Sequence, residues 1–157
     1  MNFLSKLKKE GKFLLVEPNE EVKKAYLEKS ESNLISAKIL LENDRLEEAV
    51  SLVYYSMYHL LLALLFKVGV KSENHSISII LLKEIFGIEN EEISNAKIER
   101  IDKQYYVNFH ILKNQVEETI KTAEKFNEKI IDFISKMNNS DILKYREKFK
   151  KFFNEIE

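Results

Sequence analysis

One stretch constrains the fold of this chain more than any other. Residues 46–68 read LEEAVSLVYYSMYHLLLALLFKV and carry apolar or aromatic side chains on nearly every side of a helix. One stripe repeats at three and four residues and consists of Val50, Val53, Tyr54, Met57, Leu61, Leu64 and Val68. Further apolar residues lie outside that stripe. A helix that is apolar all round must be covered on more than one side. The stretch is therefore either the central helix of a bundle or a helix shared with a second copy of the chain.

Two features of this helix predict what covers it. The small residues Ala49, Ser56 and Ala63 lie near one line, which lets a neighbouring helix come close. A homodimer interface is expected on another side of the helix, formed by Tyr55, His59, Leu62 and Phe66.

Composition excludes several classes of protein. Three glycines and one proline in 157 residues argue against an all-β fold, which needs turn residues every few positions. The absence of cysteine excludes disulfides and thiolate metal sites. The net charge is -1, so the chain as a whole does not attract nucleic acid, and only a local basic patch could neutralise phosphates. Polar residues inside residues 46–68 are costly in hydrocarbon, so we expect no membrane span and a cytoplasmic protein.

The pattern along the chain predicts an all-α fold, an up-and-down helical bundle of five or six helices. We expect an N-terminal arm at 1–19, the bundle at 20–138, and a C-terminal helix at 139–157 that packs its aromatic face on the bundle. The predicted helices cover about 20–43, 46–68, 76–86, 89–101, 114–137 and 140–156. Residues 71–75 are expected to form a polar loop, and residues 102–112 to be largely extended.

No pattern of metal ligands or cofactor-binding residues is present in the sequence. The histidines His59, His75 and His110 lie on separate elements, and no helix carries two of them at a spacing of four, so we expect no metal and no cofactor. For His59 we favour a structural role, with a tyrosine hydroxyl as its partner. His75 precedes a predicted helix, where it either caps the helix or contacts a ligand.

The most polar and aromatic stretch is ERIDKQYY, residues 99–106, which contains Arg100, Asp102, Tyr105 and Tyr106. Two interpretations stay open. The cluster is either a structural network that ties this segment to the bundle, or a site for a phosphate or nucleotide. In the second case Arg100 is the forked donor and a tyrosine is the stacking surface.

Three segments resemble one known family. They read AYLEKSESNLISAKILLEND (25–44), RLEEAVSLVYYSMYHLLLALLFKVGVKSENHS (45–76) and NAKIERIDKQYYV (95–107). Together they resemble the HEPN superfamily, in particular a branch of small uncharacterised prokaryotic proteins. The resemblance implies a helical bundle that forms homodimers. It also implies a link to nucleotides or RNA, often beside a minimal nucleotidyltransferase partner, as in toxin–antitoxin pairs. Arg100, Asp102 and Tyr105 occupy the region of that branch's Arg…Asp-Tyr element.

The sequence departs from the ribonucleases of that superfamily, which carry an arginine followed by a histidine after four to six residues. No arginine stands at that distance before any histidine here. The leading hypothesis is therefore a non-catalytic dimeric module that binds a nucleotide-type ligand or a nucleotidyltransferase. Its ligand-binding residues are Arg100, Asp102, Tyr105, Tyr106 and His75. The first alternative is a metal-independent ribonuclease with Arg100 on the phosphate and His110 as general acid or base. The second is a dimerisation scaffold without a ligand.

Overall fold

A computed structural model describes residues 2–105 and 110–157, and for 102–105 it describes only the helical backbone. These residues form seven α-helices and one two-stranded sheet, which confirms the all-α class. The count exceeds the predicted five or six because the N-terminal arm contains a helix of its own. In chain order the elements are α1 (Phe3–Lys9), β1 (Phe13–Leu15), α2 (Glu20–Glu42), α3 (Leu46–Lys67), β2 (Val70–Ser72), α4 (His75–Phe86), α5 (Glu91–Tyr105), α6 (Lys113–Lys136) and α7 (Asn139–Glu155).

The apolar stretch of the sequence is α3, and it forms the centre of the bundle. Helices α2, α5 and α6 pack on it, and 13 of its 22 residues are buried within the single chain. Its composition allowed either the central helix of a bundle or a helix shared with a second copy, and the structure shows the central helix of a bundle. Among the described helices it alone is long and apolar enough to cross a membrane, and most of it is covered by its neighbours.

Helices α2 and α3 lie close together, as the small residues predicted. Asp44, with a φ of 58°, turns the chain between them. Further along, Ser30 Oγ donates to the carbonyl of Ser56 at 2.7 Å, and Ser56 Oγ donates to the carbonyl of Ser30 at 2.8 Å. Each short side chain reaches the other helix's backbone, which requires close approach. The two serines are buried, so this exchange satisfies both hydroxyls.

The sheet lies at the C-terminal end of α3 and was not predicted. Strand β1 pairs antiparallel with β2, with Phe13 opposite Ser72 and Leu15 opposite Val70. The prediction of a polar loop at 71–75 was therefore wrong: its first residues belong to β2, whose ladder partner lies more than fifty residues earlier. Helix α7 closes over the same end, where Phe149 contacts Phe13 edge to face at 6.2 Å between ring centroids.

Several helix boundaries differ from the predictions, and three of the differences have a clear form. Helix α4 begins at His75 because the side chain of Asn74 caps it. Helix α7 is capped by Asn138 rather than by Ser140 or Asp141. Helix α5 continues to Tyr105, so residues 102–105 are helical and not extended.

Candidate functional site

Two cations of α5 lie where α3, α4 and α5 come together, Arg100 against aromatic rings of α3 and Lys97 against a serine of α4. Arg100 Nη1 donates to Tyr55 Oη at 3.0 Å, and the guanidinium carbon lies 5.1 Å from the ring centroid of Tyr54 and 5.4 Å from that of Tyr55. One turn earlier, Lys97 Nζ donates to Ser76 Oγ at 2.6 Å. We call Tyr54, Tyr55, His75, Lys97 and Arg100 the cationic cluster.

His75 joins this cluster through the first turn of α4. Its Nδ1 lies 2.6 Å from Tyr54 Oη, and its ring stacks on Tyr58 with centroids 3.9 Å apart. Burial, with the charges of Arg100 and Lys97 second, lowers the pKa of His75 to about 4. Burial also raises the pKa of Tyr54. At neutral pH the imidazole is therefore uncharged, and its Nδ1 is hydrogen-bonded to the Tyr54 hydroxyl.

The electrostatics of the cluster favour an anion. Burial lowers the pKa of Lys97, and the charge of Arg100 lowers it further. No carboxylate among the side chains that the structure describes counteracts this shift. Lys97 and Arg100 are three residues apart, so both lie on one face of α5. A bound anion would relieve the repulsion between two partly desolvated cations.

A second group of rings continues from Tyr55 along α3. His59 lies between Tyr26 of α2 and Tyr55, with centroids at 5.7 and 6.0 Å, and Tyr26 in turn stacks on Phe66. We call Tyr26, Tyr55, His59 and Phe66 the aromatic strip; all four are half-buried. His59 Nδ1 lies 2.7 Å from Asn33 Oδ1, so its partner is an amide and not the predicted tyrosine hydroxyl.

The aromatic strip contains three of the four residues predicted for a dimer interface. Tyr55, His59 and Phe66 retain exposed surface, whereas Leu62 is 7% exposed and packs inside its own chain. Burial, and then the charge of Lys29, lowers the pKa of His59. The exposed part of the strip is therefore aromatic, and its histidine is uncharged at neutral pH.

The structure brings some of the predicted ligand-binding residues together and leaves others undescribed. Arg100 and His75 belong to one cluster, connected through Tyr54. The side chains of Asp102 and Tyr105 lie outside the described residues, as does all of Tyr106. In the part of the chain that the structure describes, no group of three histidine or carboxylate side chains is placed to hold a metal ion.

His110 occupies a different environment from Arg100. It is exposed and lines an open pocket at the α2–α3 turn together with Asp44, Glu47 and Glu48. No described contact joins it to Arg100, the partner that the ribonuclease alternative requires. Three carboxylates and one arginine, Arg45, line this pocket, so its net charge is negative and disfavours a phosphate, which makes it poorly suited to RNA cleavage.

Sequence reasoning missed Lys97 and Tyr54 as members of the site. The spacing of Lys97 and Arg100 was a usable signal, because residues three apart share one helix face. Tyr54 gave no such signal. It belongs to the apolar stripe of α3 and is fully buried, and only the structure shows that its ring lies under Arg100 and its hydroxyl contacts His75.

Comparisons with known proteins identify the family. A family model described as the HEPN domain matches residues 24–139, a range that includes every residue of the cationic cluster and the aromatic strip. The chain is also 33% identical over 114 residues to UPF0332 protein PH1297 of Pyrococcus horikoshii, an alignment that covers 68% of this chain and 75% of that protein. The chain therefore belongs to the HEPN family.

Proposed function

We propose that this protein is a non-catalytic HEPN module that forms a homodimer and binds a nucleotide-type ligand at the cationic cluster. The observation that carries the proposal is the pair Lys97 and Arg100, one helical turn apart: Arg100 lies against the rings of Tyr54 and Tyr55, and Lys97 donates to Ser76.

The cluster offers the two kinds of contact that a nucleotide needs. Arg100 brings a delocalised positive charge, with Nη1 already donating to Tyr55 Oη, and Lys97 adds a compact positive charge, so both cations attract a phosphate. The half-buried ring of Tyr55 contacts Arg100 and also begins the aromatic strip. A base stacks favourably on such rings whatever its identity. We propose that the phosphate binds at the cations and the base stacks on Tyr55 where the strip begins, which leaves Tyr26, His59 and Phe66 for the second copy.

Acid–base catalysis is poorly supported by the same geometry. A general acid or base works best with a pKa near the working pH. The pKa of His75 is about 4, so this imidazole is neither a proton donor at neutral pH nor basic enough to accept a proton readily. His110, the candidate of the ribonuclease alternative, lies in the acidic pocket at the α2–α3 turn. We therefore propose binding without cleavage.

Nucleotide binding is tested by titrating ATP into the purified protein with isothermal calorimetry. We expect saturable binding that weakens by about tenfold in Lys97→Gln, since a hydrogen bond to a charged group contributes about 1.5 kcal/mol or more. Lys121→Gln is the matched control because Lys121 is exposed on α6 and pairs only with Glu118 among the described residues. No saturable binding by the wild type, or equal weakening in both variants, would refute the proposal.

RNA cleavage distinguishes the proposal from its alternative. We expect no cleavage of mixed RNA in the presence of EDTA. Cleavage that disappears in His110→Ala would establish the ribonuclease instead.

Dimerisation is tested by sedimentation equilibrium. We expect the wild type at twice the mass of the chain and a shift toward monomer in His59→Glu, which places a charge in the aromatic strip. The control is Leu143→Glu, an equal change at an exposed leucine of α7. A wild-type monomer at micromolar concentration would refute the dimer.

A further inference from the structure

A groove runs between α2 and α6, lined by residues that belong to neither the cationic cluster nor the aromatic strip. Its volume is about 860 Å³, within the range of about 300–1,000 Å³ typical of small-molecule sites. Leu27 and Leu34 of α2 and Ile131 of α6 give it an apolar surface, and Ile131 is 52% exposed. Between residues 24 and 38 it extends about 21 Å along α2, at about 1.5 Å per residue.

The charges along this groove are mainly negative. Five carboxylates and two lysines line it. The nearest partner of Lys38 is Glu124, at 3.6 Å, and Asp132 pairs with Lys136 outside the groove at 2.9 Å. The remaining three carboxylates, Glu28, Glu31 and Glu128, have no ammonium group within 4 Å among the described side chains. The groove therefore presents hydrogen-bond acceptors on both of its helices.

A buried acceptor lies at the same groove. The side chain of Asn127 lines it and is 6% exposed. Its Nδ2 donates to Ser56 Oγ at 3.0 Å, whereas its Oδ1 is buried and has no hydrogen-bond partner among the described residues. The hydrogen bonds of Ser56 support this orientation of the amide. Ser56 Oγ donates its one hydrogen to the carbonyl of Ser30, so it can only accept from Asn127 Nδ2. A buried acceptor without a partner is costly and calls for a donor.

We propose that this groove binds a linear aliphatic polyamine. The available groups are mainly acceptors, so a matching ligand carries donors, and the apolar surface requires hydrocarbon between them. Ammonium groups separated by short methylene chains meet both conditions. The ammonium groups pair with Glu28, Glu31 and Glu128, and the methylenes pack on Leu27, Leu34 and Ile131. Asn127 Oδ1 is closed to solvent in the unbound protein, so the amide rotates toward the groove when it accepts from one of the ammonium groups.

The test is a calorimetric titration with spermine, using variants that change the total charge equally. Glu28→Gln/Glu128→Gln removes two carboxylates of the groove. Glu84→Gln/Glu117→Gln removes two exposed carboxylates elsewhere, on α4 and α6. We expect one spermine per chain, about tenfold weaker binding in the first double variant, and less than a twofold change in the second. Absence of saturable binding, or equal weakening in both, would overturn the proposal.

Two further measurements locate the ligand. The side-chain amide resonances of Asn127 are expected to shift with the same midpoint as the calorimetric titration, and unshifted resonances at saturating spermine would overturn the placement. Lys97→Gln is expected to leave spermine affinity unchanged, because the polyamine groove and the nucleotide site share no residue. A loss of spermine binding in that variant would contradict a separate site.

Discussion

Acid should destabilise this protein through His75, and the effect follows from the contacts of its ring. Nδ1 is hydrogen-bonded to Tyr54 Oη at 2.6 Å in the folded protein. Protonation places a positive charge on a partly buried ring beside Arg100 and Lys97. The folded protein therefore holds the pKa of His75 at about 4, compared with about 6.5 for an unperturbed histidine.

The sign and size of the effect come from proton linkage. Between pH 6.5 and pH 4 the unfolded chain binds the proton and the folded protein does not, so the free energy of unfolding falls as the pH falls through this window. The contribution is fully present above pH 6.5. A pKa difference of this size corresponds to at most about 3.4 kcal/mol. The ring is half-exposed, and solvent screening reduces the expected effect to about 1–2 kcal/mol.

Urea unfolding at pH 7 and pH 4.5 measures this contribution when wild type is compared with His75→Asn. Asparagine keeps a hydrogen-bonding group near the position of Nδ1 but does not titrate. We expect the loss of unfolding free energy between the two pH values to be about 1–2 kcal/mol smaller in the variant. NMR titration of the ring protons gives the pKa of His75 directly. A value near 6.5, or the same pH dependence in both proteins, would refute the reasoning.

Two predictions concern the end of the bundle where α7 meets β2. Arg146 Nη1 donates to the carbonyls of Val16 and Val68 at 2.7 and 2.9 Å. Arg146→Ala should therefore lower the free energy of unfolding, measured in urea, by about 2–3 kcal/mol. The control is Lys148→Ala at an exposed position, which should change the free energy of unfolding by no more than about 0.5 kcal/mol. Gly69 has a φ of 76°, and a Cβ there would overlap the Val16 carbonyl, so Gly69→Ala should lower the melting temperature. Gly87→Ala, at a φ of 66° in open space, should lower it less, and equal losses would contradict the steric argument.

The long helices were predictable because their signals are local. Asn19 caps α2 and Gly87 ends α4 in the left-handed conformation, as the sequence indicated. The period of apolar residues placed α3 and α6 within one residue of their observed bounds. The residues that cap or end a helix, and those that form its apolar stripe, lie in that helix or directly beside it.

The remaining features depend on partners far away in the chain. Strands β1 and β2 have three residues each, too few for an alternating pattern, and form because they pair with each other. Leu62 looked available for a partner chain but is covered within its own bundle. Lys97 entered the site only because α4 brings Ser76 to it. Such contacts are set by tertiary packing, which periodicity does not encode.

The most direct measurement is a two-dimensional NMR titration of the labelled protein with ATP. Binding at the cationic cluster predicts that the largest amide shifts, with one common midpoint, fall at residues 54–55, 75–76 and 97–100. Saturable shifts confined to another surface, or no shifts at millimolar ATP, would contradict the account.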